Sequence, residues 1–307
     1  MKKTLFAILL LVTGNTAIGQ INMADSTVQV ITYWDKGEQQ NYTVTHEKIR
    51  LQETDTILTE FTTYDVEVTV LDQTDDSYTI QWLYKNIQTN NTDPRMQKLM
   101  GVTEDMKVIY KTDELGTFIE VVNWEEIKNY IEETIGILKK EFEFIPEMAK
   151  GLEQIQAIYS TKEAIESASI QDIQQYHSFH GAQYKLLEVL QTQLRIPSFL
   201  GPEDFDADIF VYLDEIDMDD NSFVLRSVQE VDEEQLVNAT LEYLNKITES
   251  MNVNAVLPKL EDIKDLKNEI LTASRIHETG WIIYSIMTKT VVLSNTTVIE
   301  ERIIEIN

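Results

Sequence analysis

The chain has four histidines, the side chains best suited to proton chemistry near neutral pH, and none stands in a complete motif. His46-Glu47 and His277-Glu278 begin like the zinc-protease pattern H-E-x-x-H, but each lacks the second histidine. His177 and His180 stand three apart, on one face if the segment is helical, with no third ligand at a recognisable spacing. Two histidines in the last turn before Gly181 suit the negative end of a helix dipole, and we read them as structural. There is no G-x-S-x-G elbow, no Walker loop and no dinucleotide fingerprint. The expectation is therefore no catalytic residue, no metal ligand and no cofactor, with the ligand-binding residues left unknown.

The acids raise a different possibility. Asp204, Asp206, Asp208 and Glu215 match positions one, three, five and twelve of a calcium loop, but position six is Ile209 where the turn requires glycine. Phe205, Ala207, Ile209, Val211 and Leu213 alternate between them, so the aspartates fall on the solvated face of a strand. Such charges protect a sheet from edge pairing. Asp217-Met-Asp219-Asp-Asn221 starts another such loop and has Ser222 at six and Val228 at twelve. With 53 acidic residues, carboxylate pairs are too common to mark glycosidase chemistry. Asp93-Pro94 to Gly101 forms a short helix presenting Met96, Leu99 and Met100, with Met106 just beyond. Methionines fill core gaps and also line adaptable binding surfaces, so both core and ligand lid stay open.

These residues must be positioned by elements whose hydrophobic period switches along the chain. Tyr64, Val66, Val68 and Val70 alternate with Asp65, Glu67 and Thr69; Tyr78, Ile80, Trp82 and Tyr84 continue the apolar face beyond the turn at 72–77. Thr43–Leu51, Lys107–Lys111, Thr117–Val122 and a closing hairpin, Trp281–Leu293 with Thr297–Ile306, read as further strands. Helical period follows Asn123, with Trp124, Ile127, Ile131, Ile135 and Leu138 on one face and Glu126 completing a capping box. Pro146 opens a second helix carrying Met148, Leu152, Ile155 and Tyr159. Ser160 and Glu163 cap a third that runs towards Gly181; Asp232 and Gln235 cap another with Leu236, Leu241, Leu244 and Ile247. Leu260–Glu269 also reads as helix.

Before the fold is read, residues 1–19 separate as a leader. Lys2 and Lys3 precede the apolar block Leu5–Val12, and Ala17 and Gly19 supply small residues before a cut near Gln20. Eight apolar residues are too few for a bilayer, which needs about 20. The mature chain is expected in the periplasm or the medium, with no membrane span. It has no cysteine, so neither disulfides nor a thiolate site nor a lipid-anchored cysteine enters. Burial alone must stabilise it, and a chain of roughly 290 residues buries about 75% of its unfolded surface. Removing Lys2 and Lys3 from 25 basic residues leaves 23 against 53 acidic ones, a net charge of −30. That field repels nucleic acid and anionic membranes and favours solubility.

The pattern also repeats. Val66/Val68/Val70 match Ile209/Val211/Leu213, and Asp75-Asp76-Ser77-Tyr78-Thr79-Ile80 matches Asp220-Asn221-Ser222-Phe223-Val224-Leu225. We read two tandem related halves, residues 20–181 (β-rich, then helical) and 182–307 (α+β). The fold class expected is α+β, with curled antiparallel sheets and covering helices. The tracts WDKGEQQNYTV, TTYDVEVTVLDQTDDSYTIQWLYKNI and IYKTDELGTFIEVVNWEEI resemble those of uncharacterised secreted envelope proteins of Gram-negative bacteria. That resemblance implies export and a β-rich first half and carries over no functional residue. In outline the architecture is similar to periplasmic lipoprotein carriers, by analogy alone.

Two functions follow: a non-catalytic envelope protein holding an apolar ligand or a protein partner in a sheet–helix groove, or an unmotifed hydrolase-type enzyme. A purely structural or docking module is the further alternative. An apolar cavity between sheet and helices favours the first; a polar cleft with a perturbed histidine or carboxylate favours the second.

Overall fold

Strict alternation from Tyr64 to Val70 and from Tyr78 to Tyr84 gives strands with one buried face, around which long partners assemble. The structure, a computed structural model, describes residues 20–142, 145–196, 204–251, 266–293 and 295–307. The expected leader lies outside these residues, as do residues 260–265 and Ser294.

Two short strands, β1 (Ile21–Asn22) and β2 (Thr27–Gln29), open the described chain. A meander follows: β3 (Gln39–Gln52), β4 (Asp55–Gln73), β5 (Ser77–Thr89), helix α1 (Pro94–Met100), β6 (Lys107–Asp113) and β7 (Phe118–Val121). Then come α2 (Trp124–Glu141), α3 (Pro146–Ile158), α4 (Lys162–Ala164) and α5 (Gln171–Tyr176). The rest comprises β8 (Gln183–Lys185), β9 (Val189–Ile196), β10 (Phe205–Asp217), β11 (Ser222–Val231), α6 (Glu233–Met251), β12 (Lys267–His277), β13 (Ile282–Leu293) and β14 (Thr296–Ile306).

The fold is mostly sheet. Strands β1, β2 and β8 form a small sheet; the other eleven form one antiparallel sheet in the order β7-β6-β5-β4-β3-β14-β13-β12-β11-β10-β9. The first run walks outward from β3 and the second returns inward to β14, where eleven residue pairs, Thr296↔Gln52 to Ile306↔Tyr42, join the two runs. The main core includes residues of both, from Val44 and Trp82 to Phe223 and Ile304. Helix α2 buries Ile127, Ile131, Ile135 and Leu138, the face read from its period. Helix α5 rests against β13 and β14, while α6 lies by β10 over a smaller cluster of Phe205, Leu236 and Leu266.

Several sequence expectations need correction. Asn123 does precede α2, but its side chain bonds Ile109 N and Lys107 O rather than capping the helix. Thr161, not Ser160, caps α4 by accepting from Ala164 N. The third helix is interrupted by a π-helical turn, Ile165–Ser169, in which Ser167 and Ser169 donate to the carbonyls of Ala164 and Ile165. Hydroxyls that return to the preceding turn compete with the helical ladder. Lys267–Glu269, expected in a helix, begin β12 instead.

Gly280 occupies the left-handed region (φ +86°), and a Cβ there would stand 2.4 Å from the Ile31 carbonyl oxygen. Gly37 shares the conformation (φ +87°) with nothing within 4 Å. The pair separates backbone strain from collision. Gly37→Ala is expected to cost about 1–2 kcal/mol and Gly280→Ala about 3 kcal/mol or more. Urea unfolding midpoints check this; equal losses would mean the Ile31 contact yields.

Candidate functional site

Antiparallel register sets inward side chains in rows across the large sheet. The innermost row runs Tyr64, Val44, Ile304, Ser285, Ser274, Leu225, Leu213. Helix α5 seals it: Gln175 Nε2 donates to Ser285 Oγ (2.9 Å) and to the Arg302 carbonyl (3.3 Å). Two residues further along each strand come Thr62, His46, Arg302, Met287, Thr272, Ser227 and Val211. The row beyond is Glu60, Lys48, Glu300, Lys289, Ile270, Gln229 and Ile209. These two rows line a cavity of about 760 Å³, together with Gln171, Gln174, Phe179, Phe61 and Met100.

The lining is asymmetric. Apolar Ile209, Val211, Ile270 and Met287 come from β10, β12 and β13, whereas β3, β4 and β14, with Lys289 of β13, contribute charges. Glu60, Lys48, Glu300 and Lys289 alternate in sign across neighbouring strands, and Lys48 pairs with Glu300 at 2.8 Å.

A buried polar chain runs beneath this charged end. Arg302 Nε donates to His46 Nε2 (3.0 Å) and Nη2 to Gln171 Oε1 (2.6 Å). Since His46 Nε2 accepts from Arg302, the imidazole carries its proton on Nδ1. The Tyr64 hydroxyl lies 3.1 Å from the same nitrogen and donates to Asp172 Oδ2 (3.2 Å), while Tyr84 donates to Oδ1 (3.1 Å). His46, Gln171 and Arg302 line both the large cavity and a second one of about 170 Å³ containing Asp172. Burial, seconded by the Arg302 charge, lowers the His46 pKa to about 3. Burial raises that of Asp172, against the opposing pull of Arg302 and the tyrosine hydrogen bonds.

Of the residues singled out from sequence, His46 enters the polar chain, and Met100, Ile209 and Val211 line the cavity. His177 follows the end of α5, fully inside: its Nδ1–H donates to the Gly116 carbonyl (2.8 Å) and Nε2 accepts from Tyr110 (2.9 Å). His180 donates from Nε2 to the Gly280 carbonyl (2.9 Å), and its buried Nδ1 has no hydrogen-bond partner among the described residues. His277 Nδ1 accepts from the Thr279 backbone. Asp206 and Asp208 lie on β10, bonded to Gln235 and Gln193, and Glu215 pairs with Arg275, so the calcium-loop spacing is a strand. Asp217 Oδ1 accepts from the amides of Asp219 and Asp220 within a turn. Met96 and Leu99 pack on the core, Met106 is buried, and Met100 lines the cavity. Among the described residues, no three His, Asp or Glu side chains converge on a metal position.

Arg302, Asp172 and Gln171 escaped the sequence reading. A signal existed for Arg302: in β14 it shares strand parity with Val298 and Ile304, where a charge is out of place.

No family model and no curated protein matches the chain. Solved structures similar to it include lipovitellin, described for its lipid–protein interactions (TM-score 0.42, 10% identity), matched over 89% of this chain. The chain spans only 25% of that protein's length. DynF of the dynemicin pathway of Micromonospora chersina matches at TM-score 0.21 and 6% identity, over 94% of this chain and 89% of its own. A Bacteroides fragilis protein described as exported and YmcC-like in fold matches at 0.24 and 6%, over 91% and 99%. Among the described residues no helix is long and apolar enough to cross a membrane.

Three histidines held neutral make the protein acid-sensitive. Burial lowers His46 to about 3, His180 to about 4, and His177 well below its ordinary 6.5. The unfolded chain takes up these protons first, so their stabilisation is complete above pH 6.5 and is lost as pH falls towards 4 and 3. Asp172, raised above 3.8, has the opposite sign: its contribution is present below pH 3.8 and lost as pH rises through the higher value. Between pH 7 and 5 each histidine should remove about 2 kcal/mol. Urea titrations of wild type and His46→Gln check this; the variant should lose less by about one histidine's share.

Proposed function

We propose that this chain is an exported, non-catalytic protein that binds an amphipathic small molecule in the large cavity. One observation carries the reading: the cavity's lining holds apolar Ile209, Val211, Ile270 and Met287, with only uncharged Thr272, Ser227 and Gln229 between them, on one side, and a polar end at His46, Gln171 and Arg302 on the other. Binding cavities combine an apolar wall with a few placed polar groups in this way. A curled sheet is part of the proposal. Strands β4 and β10 stand six steps apart, about 29 Å on a flat sheet, yet both border the same cavity. Export rests on Lys2, Lys3 and the Leu5–Val12 block, with the periplasm or medium as destination. We retain tandem duplication as a proposal too, since the matched segments are both antiparallel hairpins, β4–β5 and β10–β11.

An enzyme is the second reading, favoured by the perturbed His46 and Asp172 at the polar end. The hydrogen bonds argue against it. The basic nitrogen of His46 already accepts from Arg302 Nε, and its lowered pKa makes it a poor base near neutrality. Among the described residues no serine or threonine hydroxyl bonds to it.

Nile red, a neutral apolar dye, should bind the mature protein saturably with one site. Met287→Glu, which places a charge on the apolar wall, should weaken it at least tenfold with an unchanged circular dichroism spectrum. Ile119→Glu, on an exposed side chain (52%), is the control and should change nothing. Saturable binding that ignores Met287→Glu would move the site elsewhere, and no uptake would leave the docking or structural module as the better reading.

A further inference from the structure

Arg302 is 6% exposed, and a guanidinium removed that far from water needs compensating charge. Its hydrogen-bond partners are neutral: Nε reaches the neutral His46, Nη2 the amide of Gln171. Nη1 makes no hydrogen bond, and the guanidinium no ion pair, among the described residues. Asp172 and Glu300 attract it from beyond ion-pair distance, Asp172 accepting from Tyr64 and Tyr84 and Glu300 paired with Lys48. Lys289, cross-strand from Glu300 and also on the cavity wall, forms no ion pair among the described residues. Among the described residues neither cation forms an ion pair with a carboxylate, although Glu300 attracts both from farther off. Met287 lies directly opposite Arg302 on β13, and Ile270 on β12 and Val211 and Ile209 on β10 add apolar surface beyond it, with Thr272, Ser227 and Gln229 as uncharged polar residues between them. From β14 to β10 is four strand spacings, about 19 Å along the sheet, of the order of a medium-length aliphatic chain.

We propose that Arg302 is the receptor for the anionic head, carboxylate or phosphate, of an aliphatic ligand whose chain lies along β13 to β10. This rests on the cavity-binding reading above and adds the ligand's charge and orientation. A carboxylate or phosphate oxygen at Nη1 gives the buried guanidinium a charge-assisted hydrogen bond. The chain's distant negative charge is screened beyond about 10 Å at 0.1 M salt, so the opposition to such a ligand comes from the wall carboxylates Glu60 and Glu300, the latter paired with Lys48.

Calorimetric titration of the mature protein with dodecanoate, dodecyl phosphate, dodecan-1-ol and dodecyltrimethylammonium tests this. The alcohol reports the cavity alone. At least one of the two anions should bind tenfold or more tighter than the alcohol, and the cation more weakly than it; which anion wins identifies the head. Arg302→Met should erase the preference of the anions over the alcohol, and Arg302→Lys should restore part of it. Alcohol bound as tightly as both anions overturns the head-group assignment and spares the cavity. No binding of any of the four overturns both. If Arg302→Met does not fold, the wild-type order of the four probes still decides, and Lys289→Met should reduce the preference for anions by a smaller factor.

Discussion

The pairing of β14 with β3 is the interaction on which the rest of this structure depends. Each run pairs strands that follow one another in the chain, joined mostly by short connections, the one between β11 and β12 carrying α6. Eleven residue pairs between Gln52–Tyr42 and Thr296–Ile306 close a sequence gap of more than two hundred residues and merge the meanders into one sheet. The same register sets His46 opposite Arg302 and Lys48 opposite Glu300. A slip of one residue would turn Arg302 and Ile304 to the outer face and bring Glu301 and Ile303 inward. The polar site therefore belongs to the seam, and neither run contains it alone.

A sheet this wide presents more inner face than the helices described can cover. Eleven strands at about 4.8 Å extend roughly 50 Å, and a helix with its side chains is about 10 Å across. Helix α2 buries its apolar stripe near β6, α5 sits on β13 and β14, and α6 lies beside β10. Chemistry follows coverage. The row under α5 is Val44, Ile304, Leu225 and Leu213, with Ser274 and Ser285 hydrogen-bonded to each other at 2.8 Å. Beyond the helix the rows turn mixed, with Thr272, Ser227 and Gln229 beside Met287 and Ile270. The change in composition along single strands marks where packing ends and cavity begins.

Sequence alternation made the strands legible wherever one face is buried: Val66, Val68 and Val70 are 0–1% exposed, as their spacing requires. It failed where that premise failed. β9 is an edge strand with Val189, Leu190 and Leu194 all exposed, so its period carries no burial signal and it went unread. β1 and β2 are too short to show a period. The interruption at Ile165–Ser169 depends on serine hydroxyls choosing the backbone, a choice that helix propensity does not encode. The site was harder still. His46 drew notice only through Glu47, which is no part of the polar chain, and its real partners stand 18 and 256 residues away. Asp172 lies between Gln171 and Ile173 in a helix of ordinary appearance; only tertiary packing places it between Tyr64 and Tyr84.

The neutrality of the groups between Asp172 and Arg302 decides what the site can be. A direct contact between the two would satisfy both charges, and a buried pair with good geometry has little left to offer a third group. Here Tyr64, kept protonated by burial and by the nearby Asp172 charge, donates to the carboxylate. His46, kept neutral chiefly by burial, accepts from the arginine. Each charge is thereby solvated by a dipole and neither is cancelled. A protonated His46 could no longer accept at Nε2, and a second cation would stand against Arg302, so the arrangement requires the lowered pKa as much as it produces it. A low-dielectric surrounding strengthens such hydrogen bonds and raises the cost of leaving any member unpaired. It also leaves the guanidinium with an unspent affinity for negative charge at the cavity wall.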